Sequence, residues 1–259
     1  MRSRRRAYLP TWCRRLAPRY HAAAMQAPNH RRIPGATVVR LPVYQRILLE
    51  LVRGGTTTVS SEQLAEMARV NASKVRKDLS FLGSFGTRGS GYDAEYLLSQ
   101  IDRELGLDGD WPIAIVGMGN LGRALANSPG FSSRGFRVAG LFDVEPSLVG
   151  RRVRGMCIHH LDEFEEVASS DPPRIGVIAT PAATAQDVAD RMVKAGVGSV
   201  LNFAPRVLTV PPHVLLRYVD LSIELQVMSF YLSRADRRDS AEASSSLPHV
   251  VGLGPSGPA

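Results

Sequence analysis

The sequence predicts an α/β chain in two parts, a small helical domain followed by a doubly wound one. Three stretches carry that expectation. "SSEQLAEMARVNASKVRKDLSFLG", residues 60–83, reads as two short amphipathic helices joined by a tight turn. "SFGTRGSGYD", residues 84–93, packs Gly86, Gly89 and Gly91 into a tight hairpin. "PIAIVGMGNLG", residues 112–122, runs an apolar β-branched strand straight into Gly-x-Gly-x-x-Gly and a helix start.

Taken in chain order, residues 1–32 hold nine arginines and no acid. The formal net charge is +8, so the rest of the chain carries −1 and the basic character belongs to this arm. Interrupted by Pro and Ala and without periodicity, it reads as a disordered extension. Residues 33–107 form the helical domain. "PVYQRILLELVRGG" places Val43, Ile47, Leu48 and Leu51 at helical spacing, and Gly54 and Gly55 stop it. In "VSSEQLAEMARV", Ser60 and Gln63 fit a capping box, with Leu64, Met67 and Ala68 as the inner face. "NASKVRKDLSFLG" starts at Asn71, stops at Gly83 and turns Val75, Leu79 and Leu82 inward. The hairpin is the wing of a winged helix, and "AEYLLSQIDRELGL" closes the domain.

"DGDWP", residues 108–112, punctuates a boundary. Residues 112–219 alternate strands and helices, with further strands at "GFRVAGLFD", "RIGVIAT" and "SVLNFA". Residues 220–232 read as one more helix, and residues 233–259, rich in Ser, Gly and Pro, as a disordered tail.

The second helix of the pair has a polar face suited to DNA. Ser73, Lys74, Arg76 and Lys77 lie where a reading helix meets base edges, with Ser60 and Ser61 at the start of the first helix and Arg88 on the wing. Arg69 adds to a cluster of positive charge that phosphates require. A single winged helix buries little surface, so a homodimer on two-fold-symmetric double-stranded DNA is expected.

The glycine turn suits a dinucleotide. Gly117 permits the tight turn, Gly119 lets the backbone approach a pyrophosphate, and Gly122 allows close helix packing. Met118, Asn120 and Leu121 complete the loop. Asp143 follows Gly122 by 21 residues, near the ~20 expected of an acid that holds a ribose hydroxyl, and favours NAD(H) over NADP(H). The domain is thus expected to be a Rossmann-type NAD(H)-binding one.

An enzymatic role is not expected. No tyrosine has a lysine four residues on, and the only lysines are Lys74, Lys77 and Lys194. His159 and His160 are the best candidate base but read as a surface pair. Little chain remains after "NFAP" for a catalytic domain, so the dinucleotide is a signal rather than a substrate. No histidine or cysteine spacing suits a metal. Cys13 and Cys157 read as reduced thiols in a cytoplasm, and no apolar run is long enough for a membrane span. Two alternatives stay open: the same architecture sensing another nucleotide-type ligand such as an acyl-CoA, and an NAD-dependent oxidoreductase with an accessory DNA-binding domain.

"RLPVYQRIL", "VSSEQLAE", "KVRKDLSFLGSFGTRGSGY", "IVGMGNLGRAL", "LFDVEPSLVG" and "LNFAPRVLTVP" together make residues 33–232 resemble the Rex family of redox-sensing transcriptional repressors. The resemblance implies a cytoplasmic homodimer that leaves its operator when NADH binds, so that the NADH/NAD+ ratio is read as DNA occupancy. It also implies that Thr180, Pro181, Asn202 and Phe203 lie near the nicotinamide. Residues 220–232 would form a helix exchanged with the partner subunit, through Leu221, Leu225, Met228 and Leu232. Asp220 at its start would pair with Arg46 as a switch. The family commonly has a tyrosine where this chain has Ser128, which implies that NADH and NAD+ are distinguished less sharply here.

Overall fold

The computed structural model describes residues 33–83, 91–132 and 134–245. Helix α1 (Gly35–Arg53) begins upstream of Pro42, where the apolar pattern starts, and carries that proline inside it. Its phase also differs from the expectation: Leu41, Tyr44, Ile47 and Leu48 are buried, whereas Val43 is half exposed. Strand β1 (Thr58–Val59) leads into α2 (Ser61–Ala68), whose capping box of Ser60 and Gln63 is formed in both directions. Leu64 and Ala65 form the inner face; Met67, expected inside, is exposed, because an eight-residue helix buries one narrow stripe.

Helix α3 (Ala72–Leu79) is capped by the Asn71 side chain, which accepts from the Lys74 N–H. It stops at Leu79, short of the expected Gly83. The turn between α2 and α3 closes as a Schellman motif: the Arg69 N–H donates to the Glu66 carbonyl and the Val70 N–H to the Ala65 carbonyl. Arg69 is therefore left-handed, at φ 52° and ψ 43°. Strand β2 (Tyr92–Asp93) pairs antiparallel with β1. The expected wing residues Gly86, Arg88 and Gly89 lie outside the described residues. Helix α4 (Ala94–Glu104), capped by Asp93, completes a core that includes Leu48, Val59, Leu64, Val75, Leu97 and Ile101.

Under that core, Asp78 is 2% exposed and binds four polar atoms from three residues of α1. Its carboxylate accepts from Arg40 Nε at 2.6 Å and Nη2 at 2.7 Å, from the Thr37 hydroxyl at 2.8 Å and from the Tyr44 hydroxyl at 2.9 Å. This cluster ties α3 to α1.

The second part is a seven-stranded sheet in the order β5-β6-β4-β3-β7-β8-β9. The strands are β3 (Trp111–Val116), β4 (Phe136–Asp143), β5 (Arg152–Val153), β6 (Met156–His160), β7 (Ile175–Ile178), β8 (Ser199–Asn202) and β9 (Leu215–Tyr218). All pairings are parallel except that of β5 with β6. Helices α5 (Asn120–Ala126) and α6 (Pro129–Ser132) lie by one face, over Ile115, Leu141 and Val177. Helices α7 (Phe164–Ser170) and α8 (Ala185–Lys194) cover the other through Phe164, Val188 and Met192. Beyond α6, the first face is an apolar groove of 360 Å³ floored by Val177, Leu201 and Leu215. Helix α9 (Leu221–Ser245) runs well past Leu232 into "SRADRRDSAEASS", which has no Gly or Pro to stop it. Residues 221–234 are exposed throughout, so no face of this part of the helix is buried among the described residues.

Candidate nucleotide crevice and DNA-facing helix

Strand order reverses at β3, whose successors lie on opposite sides of it; in such sheets ligands bind outside the carboxyl ends of the strands at that point. The glycine turn sits there. Gly117 has φ +97°, and a Cβ on it would stand 2.6 Å from the Ala179 carbonyl oxygen and 2.9 Å from the Thr180 nitrogen. The turn is thereby pressed against the end of β7. A Cβ on Gly122 would collide with the Gly117 carbonyl oxygen. A Cβ on Gly119 would meet nothing within 4 Å, so this glycine faces open space, as the backbone's approach to a phosphate requires. Each glycine thus has its own reason.

Asp143 ends β4 and reaches back to the turn. Its Oδ2 accepts from the Met118 N–H at 2.5 Å, and its Oδ1 accepts from the Val144 and Glu145 N–H groups, both at 2.8 Å. The carboxylate therefore braces the loop, and Oδ2 keeps a lone pair for a further donor. Met118 contributes only its backbone, since its side chain is fully buried in the core. Asn120 accepts from Arg123, and Leu121 is exposed beside it.

Thr180 lies just past the end of β7, its hydroxyl buried with no hydrogen-bond partner among the described residues. Such an orphan is rare, and it fits a ligand group that completes it. Pro181 is exposed next to it. Asn202 is 1% exposed and turns inward: its amide donates to the Ala204 and Arg206 carbonyls, and its carbonyl accepts from the Ala204 N–H. It shapes the loop after β8 and has no amide proton left to offer a ligand. Phe203 packs against the core.

The Thr180→Val variant separates ligand from fold. Removing a buried, unpaired hydroxyl is expected to leave the ligand-free Tm unchanged or higher. Losing one hydrogen bond to a bound dinucleotide weakens its binding by about 0.5–1.5 kcal/mol, roughly two- to twelvefold in Kd. An unchanged Kd in a fluorescence titration with NADH would remove Thr180 from the site.

Ser128 is not at this crevice within one chain. It follows α5, at the end away from the glycine turn, and lines a cavity of 540 Å³ with Ala126, Phe131, Phe136 and Arg154. Nor does the chain bring Asp220 to Arg46. Asp220 accepts from the Ser222 N–H and hydroxyl, and Arg46 lies 3.8 Å from Glu50. His159 is held by Glu163 at 3.0 Å, and the His160 side chain accepts from the Asp162 N–H. Both follow local partners, as a surface pair should.

Of the residues expected to meet DNA, Ser73, Lys74 and Lys77 are exposed on α3, though the Ser73 hydroxyl donates to the capping Asn71. Ser60 is occupied by its capping box, and Ser61 is buried. Arg76 is already engaged: its Nη1 donates to Ser61 Oγ at 2.9 Å and to Glu62 Oε1 at 2.7 Å. Glu62's own backbone, and then Arg76, hold the Glu62 carboxyl below the usual range. The spacing of residues 62 and 76 carries no sequence signal for this pair, since it forms only when α2 and α3 cross.

A family model described as "Putative DNA-binding protein N-terminus" matches residues 32–80, and one described as "CoA binding domain" matches residues 108–206. The redox-sensing transcriptional repressor Rex of Streptomyces avermitilis is 57% identical over 215 residues, 83% of this chain and 85% of the relative. The protein of the same name in Streptomyces coelicolor is 56% identical over 222 residues, 86% of each chain. Among solved structures, RSP, a Rex-family repressor, superposes with a TM-score of 0.75. Its complex with β-NAD+ and operator DNA is 35% identical and spans 83% of this chain and 100% of that one. Its complex with β-NADH is 34% identical, over 82% and 99%.

Proposed function

The chain belongs to the Rex family of redox-sensing transcriptional repressors, and we propose on that footing that it binds operator DNA and releases it when NADH occupies the crevice. One observation carries the reading: a single chain holds both a turn-joined helix pair with a cationic face and a glycine turn at the point where strand order reverses. In this reading residues 33–107 are the DNA-binding unit and residues 112–219 the sensor.

On DNA, Ser73, Lys74 and Lys77 meet base edges or phosphates from α3, Arg76 and Ser61 orient that helix, Ser60 caps the helix beside it, and Arg88 reaches from the wing. In the sensor, residues 117–122 cradle the pyrophosphate, Asp143 takes the adenine ribose, and Thr180, Pro181 and Phe203 border the nicotinamide, with Asn202 shaping the loop. In this reading the ligand is bound and released without reaction.

The working form is a homodimer in the cytoplasm. An isolated helix with no packed face is marginal in water, so the exposed Leu221, Leu225, Met228 and Leu232 of α9 call for a second surface. Val39 and Val43 on α1 offer exposed apolar side chains beside Arg46. Exchange of α9 between subunits would cover both and bring Asp220 to Arg46. It would also let a partner's crevice meet Ser128. Coupling then follows if NADH favours one arrangement of the two domains.

A second reading, a CoA-type ligand in the same crevice, has the CoA-binding family match behind it. Asp143 counts against it, because CoA carries a phosphate on the ribose that this carboxylate would repel.

The test is fluorescence anisotropy on a labelled duplex selected from a random pool by the protein itself. NADH, NAD+, NADPH and acetyl-CoA are then added at fixed salt. Release by NADH at concentrations where the others act weakly is the expected result; release by acetyl-CoA alone establishes the second reading, and indifference to all four removes the switch. Run beside it, Ser128→Tyr is expected to widen the NADH/NAD+ affinity ratio. An unchanged ratio would detach Ser128 from ligand discrimination.

A further inference from the structure

Arg69 occupies a backbone position that its side chain does nothing to stabilise. It is the left-handed residue of the Schellman motif between α2 and α3, where glycine is the usual occupant because any Cβ is strained there. The residue is exposed, and its guanidinium has no hydrogen bond or ion pair among the described residues. The fold thus bears the strain of a side chain from which it receives no hydrogen bond or ion pair among the described residues. A strained residue kept without a packing reason points to use elsewhere.

Its position says where. The turn is the segment from which α3 starts, two residues before the Asn71 cap and close in sequence to exposed Ser73 and Lys74. In this docking mode the N-terminal end of the reading helix enters the groove, so the turn before it runs beside the phosphates. The neighbouring Arg76 is tied to Ser61 and Glu62, which leaves the face without a free guanidinium on α3. The left-handed backbone throws the Arg69 side chain off the helix line, into solvent.

We propose that Arg69 is a DNA-backbone contact, a guanidinium that grips a phosphate beside the entering end of α3. This rests on the DNA-binding reading above. It contributes affinity and register rather than sequence choice, as phosphate contacts do.

The experiment uses the full chain, the selected duplex and a scrambled duplex, with affinities measured across salt concentrations. Two variants are compared. Arg69→Gly relieves the backbone and removes the charge; Arg69→Gln removes the charge and keeps the strain. The expected result is a higher Tm for Arg69→Gly, by a few degrees, with weaker binding to both duplexes. Both variants should lower the slope of log K against log salt by about 0.9 per chain, the loss of one phosphate contact. Wild-type slopes in both variants would overturn the proposal while leaving the repressor reading intact. So would a loss confined to Arg69→Gly, which would trace the effect to a loosened turn. A wild-type protein that binds neither duplex would overturn the DNA-binding reading and this inference with it.

Discussion

Gly122→Ala should cost the sensor domain its fold, while Gly119→Ala, three residues away, should cost it only its ligand. The alanine Cβ at 122 has nowhere to go. It meets the Gly117 carbonyl oxygen, and the Gly117 carbonyl carbon at 2.9 Å, both backbone atoms that no rotamer change can move aside. Gly117 cannot retreat, because it is itself pressed against the Ala179–Thr180 backbone. Overpacking of this kind costs typically 1–3 kcal/mol, and backbone-to-backbone collision belongs at or above the top of that range. A Tm lowered by several degrees and loss of NADH binding are expected together. At Gly119 the new methyl meets no protein atom, and φ −66° suits any residue. The Tm should stay within a degree of wild type. The methyl nevertheless occupies the space a phosphate needs, so NADH affinity should fall about tenfold or more, ~1.4 kcal/mol. Equal NADH affinity in Gly119→Ala and wild type would mean that the ligand does not cross this turn.

Asp78→Ala is expected to unfold the DNA-binding domain and spare the sensor. The substitution strands the Arg40 guanidinium, half sheltered, together with the buried Thr37 and Tyr44 hydroxyls. Breaking a buried pair from one side costs about 3–5 kcal/mol. That is a large share of the 5–15 kcal/mol that holds a typical domain together. The sensor has separate cores, so NADH titration should give a near-normal affinity in a protein that no longer binds its duplex. A Tm within a degree of wild type would show the cluster to be dispensable.

The same cluster sets an acid limit. Burial pushes the Asp78 carboxyl up, but the bonds from Arg40, Thr37 and Tyr44 together hold it below its ordinary value of 3.8. A depressed folded-state value means that its stabilisation is complete above the ordinary value and is lost as pH falls further, through the folded-state one. At the alkaline end, burial and then Asp78 push the Tyr44 phenol up to about 12. Its share of the stability is whole below 10 and fades as pH rises through that raised value. DNA-domain unfolding followed by circular dichroism should therefore be flat from pH 5 to 9 as far as this cluster is concerned. A transition in the Asp78→Asn variant that keeps the wild-type acid dependence would assign that dependence to other groups.

Much was legible along the chain because the interactions concerned span only a few residues. The Ser60–Gln63 capping box, the Asn71 cap, the strand into "GMGNLG" and the acid at the end of β4 are each decided by neighbours. The strands at 111–116, 136–143, 175–178 and 199–202 all stand where apolar β-branched runs placed them. Short β5 and β9, the latter half exposed, left too little pattern to read.

Which face of α1 is buried was not legible, since the phase of a helix rich in apolar residues is chosen by what packs on it. Val43 fell outside for that reason, and Met67 because short α2 buries only one narrow stripe. Asn202 and Met118 read as ligand residues by position, yet one turns its amide into its own loop and the other buries its side chain. Arg76 read as a free cation until α2 brought Glu62 to it.

The sequence by itself determined the two-part architecture, the helix caps and the glycine turn, because local backbone preference and side-chain periodicity act before the chain folds. Only the tertiary structure decided that Asp78 is clamped by Arg40 and that the Thr180 hydroxyl is buried with no hydrogen-bond partner among the described residues. Those facts depend on atoms far apart in sequence, and no short window of residues contains them.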